Sequence, residues 1–524
     1  MRTELFYKIV FFLICLIIVV LLADYNMNWI HPEAIAQIGK VLGGNNSSSL
    51  SQLLMAFDYK TIHGEATPRL LTSLLQIINI KFRVWLNNYL PLHPSLNLTW
   101  MFSLLFAPVF LYKLTYNLTF NRTAAWVSVL LYSVSTGFLS GLTFMASPGK
   151  PLANFLAIFT LYLASEINTE ANNGDVFSKH GFRLYIILLL ALFISFFIDE
   201  VCWFTYACIP LTFPNIFFKK YSLYPKLTNK KIIIFSYISI FVLFLVFLTF
   251  VIPQITRYLG FGDFPFWKFG IMGSTRMGGP AGNPIWLNLQ FFPLNAILNG
   301  HFLFASQLIP FDLSALGFFY KLQNENSWFF LHELYRADYL HFLYSLPVYL
   351  LLGGSFYYSY KKLAPNEKKL ILRFSVVIIL YILFHTLIFA RNMIIVRASY
   401  YYGALFSVFL ILPLSILLAV NTESAIKGVI NKVILLLVVA VSISNFHQVN
   451  VIWRDHHTES YKISFPEQTK QMQDNNDTKL TYSLVNKAWN NKNDTGTLLG
   501  MKPQFHVRSV WLFVELEYVK RKNP

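Results

Sequence analysis

The stretch "DYKTIHGEATPR", residues 58–69, sets Asp58, His63, Glu65 and Arg69 directly ahead of a leucine-rich run. A carboxylate beside a cation suits one kind of chemistry: the carboxylate takes a proton from an incoming hydroxyl while the cation neutralises an anionic group nearby. Glu65 and Asp58 are the candidate bases, and Arg69 is a candidate anion ligand. Lys150, Asp199, Glu200, Arg391 and Arg397 are further ionisable residues at the margins of apolar runs. Tyr400, Tyr401 and Tyr402 follow Arg397 and can frame a head group or stack on a sugar. Each has a plainer reading. Glu65 in a first helical turn gains about 0.3–1 kcal/mol from the helix dipole, Arg69 can simply pair with Glu65 one turn away, and Lys150 and Arg391 can snorkel to an interface. Asp199 and Glu200 can be no more than a polar turn, and His385, inside an apolar run, reads as a packing residue.

The elements that must position these groups follow from composition. A chain of 524 residues that is 55% hydrophobic and 13% charged cannot hide its apolar surface in one water-soluble core. Lipid is the expected solvent, and a span needs roughly 20 mostly apolar residues. About eleven stretches qualify on that rule: 7–23, 98–114, 124–146, 151–166, 184–198, 200–217, 232–252, 341–360, 371–390, 399–420 and 433–447. The expected fold is therefore an all-α integral membrane protein with a polytopic domain over 1–447. The tail over 448–524 reads as a small mixed segment, with "SVWLFVELEYV" as a terminal strand.

Orientation follows from Lys and Arg near span ends. "KKYSLYPKLTNKK" (219–231) and "KKLAPNEKKLILR" (361–373) are the lysine-rich segments and are expected to be cytoplasmic. The N-terminus is then also inside, while loops 24–97 and 253–340 and the tail face out. "LYIILLLALFISFFIDEVCWFTYACIPLTFPNIFF" reads as two short helices turning at Asp199 and Glu200 or as one long helix. Two helices keep both lysine-rich segments on one side. One helix would bury adjacent carboxylates near mid-membrane, at about 2.5–3.5 kcal/mol each. The first span also resembles a secretory signal, although no small-x-small cleavage pattern precedes "DYNMN". Cys15, Cys202 and Cys208 all sit in apolar runs and suggest no disulfide framework.

Beyond Pro68, Leu70, Leu71, Leu74, Leu75, Ile77 and Ile78 recur at helical spacing, which predicts an amphipathic helix lying along the membrane surface. The 253–340 loop is rich in Gly, Pro and aromatics, with Phe266, Trp267 and Trp286 either as carbohydrate platforms or as part of an interfacial belt. Its glycines follow no strand and precede no P-loop lysine, so a nucleotide site is not indicated. The His456-His457 pair has no second ligand set, so neither a divalent metal nor another cofactor is indicated.

A transporter would place ionisable groups or broken helices near the midplane. Here they gather at outer ends, which suits a reaction at the outer face. A polyprenyl-phosphate carrier fits that layout, with its tail in lipid and its anionic head at the interface. The net charge of +17 agrees but mostly repeats the topology signal, and no nucleic acid is expected as a partner.

The motifs "HGEATPRLLTSLLQ", "SPGKPLANFLAIFTLYLASE", "FFIDEVCWF" and "RNMIIVRASYYYGALFSVFLILP" resemble those of the polytopic GT-C type glycosyltransferases. The arrangement of outer loops is similar to that of phage-type O-antigen glucosyltransferases. The likeness covers roughly the first 420 residues. It departs where the family's Asp-Glu pair is Gly64-Glu65, which leaves Glu65 or Asp58 as base. The resemblance implies transfer of a sugar from a polyprenyl-phosphate donor to a lipid-linked glycan or other extracytoplasmic acceptor. It also implies a bacterial inner membrane and a cell-envelope product such as lipopolysaccharide. Lys150, Arg69, Arg397, Asp199, Glu200 and Tyr401 would contact substrate. A flippase for a lipid-linked saccharide, or an O-antigen polymerase or ligase, remains the alternative.

Overall fold

The computed structural model describes residues 2–28, 54, 70–87, 98–135, 138–139, 149–173, 176–199, 201–218, 222–223, 227–228, 230–260, 293, 296–297, 299–301, 303–304, 331–388, 404–420 and 428–444. The protein is all-α. Its helices are α1 (Arg2–Asn28), α2 (Leu70–Asn87), α3 (Leu98–Thr119), α4 (Arg122–Val134), α5 (Gly149–Asn173), α6 (Lys179–Phe196), α7 (Val201–Thr212) and α8 (Pro214–Phe218). They continue with α9 (Lys230–Val246), a π-turn (Phe247–Val251), α10 (Ile252–Tyr258), α11 (Leu331–Lys362), α12 (Pro365–Ile388), α13 (Ala404–Leu418) and α14 (Gly428–Ser444). Extended structure among the described residues is confined to a small ladder of Val176–Phe177, Ser222–Leu223 and Leu227–Thr228.

Among the described residues three helices are long and apolar enough to cross a membrane: Lys179–Phe196, Lys231–Tyr258 and Pro365–Thr386. Their outward faces carry Leu190, Phe235 and Ile379, all exposed. A bundle designed for water would bury such side chains or charge that face. This is compatible with a membrane protein.

Cross-helix contacts fix the helix directions. α3 and α5 run parallel, because Ser103 Oγ donates to the Pro151 carbonyl at 2.7 Å near one end and Asn117 Nδ2 donates to Glu166 Oε1 at 2.8 Å near the other. α6 and α9 are also parallel, joined by the Tyr185 hydroxyl on the Ile233 carbonyl at 2.8 Å and by the Phe196 and Phe244 rings at 5.0 Å. α7 runs the other way, since Tyr206 meets Tyr237 while Trp203 meets Phe244. The chain therefore turns back between α6 and α7, and the two-helix reading of residues 184–217 holds.

These directions sort the charges. Arg122 lies 3.9 Å from Glu4, and Arg373 Nη1 donates to the Thr212 carbonyl at the end of α7. The start of α1, the start of α4, the lysine-flanked start of α9 and the α11–α12 turn thus share one end of the bundle. At this lysine end the Lys8 ammonium hydrogen-bonds the Glu4 carboxylate and holds it below the usual carboxylate range. The turn itself is capped: Pro365 opens α12, and Glu367 accepts from the Ala364 N–H at 3.0 Å. The α6–α7 turn and the start of α5 occupy the opposite end.

α2 docks at that opposite end. The Leu71 N–H donates to the Phe197 carbonyl at 3.1 Å, and Thr72 Oγ1 donates to the Ile198 carbonyl. Orphan donors of a helix start are thereby satisfied by the turn. The leucines recur as expected, yet the fully buried residues of α2 include Thr72, Ser73, Gln76 and Asn79, while Leu70, Leu71, Leu74 and Leu75 are half-buried and Ile78 is exposed. Thr72, Ser73, Gln76 and Asn79 thus face the protein together with Ile77, while Leu71 and Leu75 pack partly against it and Ile78 faces outward. The helix turns its polar positions to the protein interior rather than to water.

Gly149 makes the close approach possible. A Cβ there would collide with the Thr72 side chain and stand 3.1 Å from the Ile198 carbonyl. Gly353, in α11, has open space around it. Gly149→Ala is expected to lower stability by about 1–3 kcal/mol through overpacking, whereas Gly353→Ala should raise it by about 0.5–1 kcal/mol through helix propensity. Thermal unfolding of both variants in one detergent checks the contrast, and equal shifts would show that the docking contact is loose.

Candidate functional site

Two residues distant in sequence meet at the end opposite the lysines. Lys150, the second residue of α5, and Asp199, in the α6–α7 turn, form an ion pair with Nζ 2.7 Å from Oδ2. Their side chains are 5% and 1% exposed. Among the described residues they are the only buried lysine or arginine and the only buried carboxylate.

Local sequence explains the placement. α6 closes with the Phe197 and Ile198 N–H groups on the Ile194 and Ser195 carbonyls, each at 3.1 Å. α7 opens with the Cys202 N–H on the Asp199 carbonyl at 3.0 Å. The Asp199 backbone is consumed by the turn and its carboxylate turns to α5. Ala153, Leu156, Ile198 and Cys202 then pack together under Leu71 and Leu75, so one small apolar cluster ties α2, α5, the turn and α7. The cysteines are free thiols.

A second polar group adjoins the pair. Tyr381, fully buried, lies within electrostatic range of Asp199, and His385, one turn further along α12, lies within range of Lys150. Their rings stack at 5.7 Å. Asn299 Nδ2 stands 3.0 Å from His385 Nδ1 and donates to Thr386 Oγ1 at 2.9 Å. Thr386 gives its own proton to the Ile382 carbonyl at 2.7 Å, so it can only accept from Asn299. Asn299 therefore presents its NH2, His385 Nδ1 must accept, and the ring proton is assigned to Nε2.

Polar atoms without a hydrogen-bond partner among the described residues occur on these helices, at Gln76 Oε1 in α2, Asn154 Nδ2 in α5, Thr205 Oγ1 in α7 and the Tyr381 hydroxyl in α12, and also at Trp126 Nε1 and the Tyr132 hydroxyl in α4. Each such buried group costs about 1–3 kcal/mol if nothing satisfies it. Together with the buried charges they make this end of the bundle more polar than a dry apolar core. Among the described residues no group of three or more His, Cys, Asp or Glu is placed to hold a metal ion.

The structure thus brings together Lys150 and Asp199 from the sequence-derived set. Glu65, Asp58, Arg69, Glu200, Arg397 and Tyr401 lie outside the described residues, as do His63, Arg391, Phe266, Trp267 and Trp286. Sequence reasoning missed Asn299, Tyr381 and the polar stripe of α2. It treated His385 as packing, and the adjacent His385-Thr386 in an apolar run was the available signal, because such a pair needs partners. No family model matches the chain, and neither a curated protein nor a solved structure does. The chemistry must come from the site.

A buried pair is costly to break and cheap to replace. Lys150→Met should lower stability by about 3–5 kcal/mol by leaving Asp199 uncompensated, and Lys150→Met with Asp199→Leu should recover most of that loss. Denaturation of the two variants beside wild type measures it. A double variant less stable than the single one would mean that further polar partners, not the pair, dominate the burial.

Proposed function

We propose that the chain is a multi-pass membrane glycosyltransferase of the GT-C type, acting at the extracytoplasmic face of a bacterial inner membrane. In this reading each of the eleven apolar stretches, among them 7–23 and 433–447, crosses the bilayer. The N-terminus and both lysine-rich segments are cytoplasmic, and the tail is outside. The observation that carries the reading is the buried Lys150–Asp199 pair beneath the docked start of α2. The chain preceding that helix in sequence holds Glu65 and Arg69, and this reading assigns the base to Glu65 or Asp58.

The sugar donor is a polyprenyl phosphate whose tail remains in lipid. Its phosphate reaches Lys150 and the first turn of α5, where a helix start favours an anion. Glu65, or Asp58, takes the proton of the acceptor hydroxyl as that oxygen attacks C1 of the sugar. The C1–O bond to phosphate breaks with inversion, and Lys150, Arg397 and Arg69 stabilise the departing phosphate. Asp199 and Glu200 bound the site, and Tyr401 stacks on the sugar. The acceptor is a lipid-linked glycan or another extracytoplasmic hydroxyl.

Two measurements test this reading. Glu65→Gln should keep the fold and the carrier affinity but lower transfer by about 10²–10⁴-fold, because an amide cannot accept the proton. Transfer from a polyprenyl-phosphate sugar by the purified protein is the assay, and wild-type rates in both Glu65→Gln and Asp58→Asn would sink the mechanism. Separately, a single cysteine at position 226 should resist a membrane-impermeant thiol reagent in intact cells while one at position 69 reacts. Labelling at 226 would overturn the topology.

A further inference from the structure

We propose that Thr72 is a positioning residue: one β-branched side chain on α2 sets the gap between the start of α5 and the α6–α7 turn, and with it the place of the Lys150 ammonium against Asp199. Its bearing on substrate rests on the phosphate-carrier reading above, in which Lys150 meets the phosphate.

Thr72 has a contact on each side. Its hydroxyl donates to the carbonyl of Ile198, the residue directly before Asp199. Its hydroxyl and methyl together fill the space beside Gly149, the residue directly before Lys150. A Cβ on Gly149 would stand 3.0 Å from the Thr72 methyl, closer still to the hydroxyl, and 3.1 Å from the Ile198 carbonyl. α2, α5 and the turn therefore meet at one point, and Thr72 is 1% exposed there. Both members of the 2.7 Å ion pair are thus one residue removed from a group that Thr72 touches.

The turn depends on α2 for its donors. The carbonyls that close a helix have no partner within it. Here the Phe197 carbonyl takes the Leu71 N–H at 3.1 Å and the Ile198 carbonyl takes the Thr72 hydroxyl, while the Asp199 carbonyl serves α7 through the Cys202 N–H at 3.0 Å. Residues 197 and 198 are tied to α2 and residue 199 to α7, so a shift of α2 at Thr72 moves the backbone from which the Asp199 side chain departs. Threonine suits the position because both of its branches are used, and branching at Cβ restricts χ1 so that neither swings away. The apolar cluster of Ala153, Leu156, Ile198 and Cys202 beneath Leu71 and Leu75 adds packing. Packing of that kind has no direction, and the hydrogen bond at Thr72 supplies one.

The test is the reactivity of Lys150 in the purified full-length protein towards reductive methylation, read by peptide mass spectrometry. Thr72→Val keeps the shape and removes the donor, whereas Thr72→Ser keeps the donor. Thr72→Val should raise the Lys150 methylation rate by about tenfold or more, and Thr72→Ser should restore most of the protection. Leu130→Ala, which opens the core at a fully buried position of α4, should lower stability without that rise. Lys150 as protected in Thr72→Val as in wild type overturns the proposal. Equal exposure in Leu130→Ala does so too, because Thr72 would then act only through global stability. Should Thr72→Val not fold, Gly149→Ala presses on the same contact from α5 and takes its place, with the same expected rise.

Affinity of the same preparations for polyprenyl monophosphate reports on the carrier. Kd should rise about tenfold in Thr72→Val and stay within about twofold of wild type in Thr72→Ser and Leu130→Ala. Faster methylation with unchanged Kd keeps Thr72 as the residue that places Lys150 and removes Lys150 from the carrier site. Absence of binding by wild type removes the carrier reading, and the methylation rates then decide the positioning by themselves.

Discussion

An ammonium and a carboxylate held 2.7 Å apart away from water constrain everything around them. Each ion loses several kcal/mol of hydration, and the mutual attraction offsets this only with good geometry and further polar support. That requirement explains why α6 stops where it does. A helix continuing through Asp199 would carry the carboxylate round with its own rotation. The turn instead consumes the Asp199 carbonyl in the first bond of α7 and leaves the side chain to face α5. It also explains Gly149, because the backbone of α5 can reach the turn only if nothing larger than hydrogen intervenes between it, Thr72 and Ile198.

The same end of the bundle collects distant segments through polar contacts, and the lysine end collects them through charge. α2 arrives by donating to the Phe197 and Ile198 carbonyls. The segment around Asn299 arrives by donating to His385 and Thr386. In a bundle whose outer surface is apolar, such contacts are directional where packing of leucine on leucine is not. They fix how α2 and Asn299 meet the α6–α7 turn and α12. Charges at the other end meet at the surface instead, as Glu4 does with Lys8 and Arg122. Lys361 and Lys368 lie over the rings of Tyr357 and Tyr360, as exposed cations at an interface do.

Much of the helical framework was legible because apolar runs of the right length and lysine clusters act locally and additively. The break at Asp199 was legible for a related reason: adjacent carboxylates inside a single helix would have cost more than a turn. The pairing of Lys150 with Asp199 was not, since a snorkelling lysine and a polar turn leave the same trace in sequence. The orientation of α2 was half legible. Its leucine spacing marked the apolar face, but spacing cannot say whether the opposite face meets water or protein, and Thr72, Gln76 and Asn79 turned out to be buried. The Asn299–His385 contact had no trace at all, because a lone Asn in a long connecting segment looks like a solvated one. Glu65, Asp58 and Arg397 remain candidates read from sequence, outside the described residues.

Stability alone does not call for this arrangement. A buried pair can often be exchanged for apolar side chains of like volume at no loss, and Gln76, Asn154, Thr205 and Tyr381 have polar atoms without partners among the described residues. Apolar residues at those positions would hold the bundle together at least as well. What they would lack, in the carrier reading proposed above, is a charge for an anionic head group. A phosphate carrier brings its own apolar anchor, so the protein need contribute little hydrophobic affinity and must instead offer a cation, which Lys150 supplies at a cost in burial that Asp199 offsets.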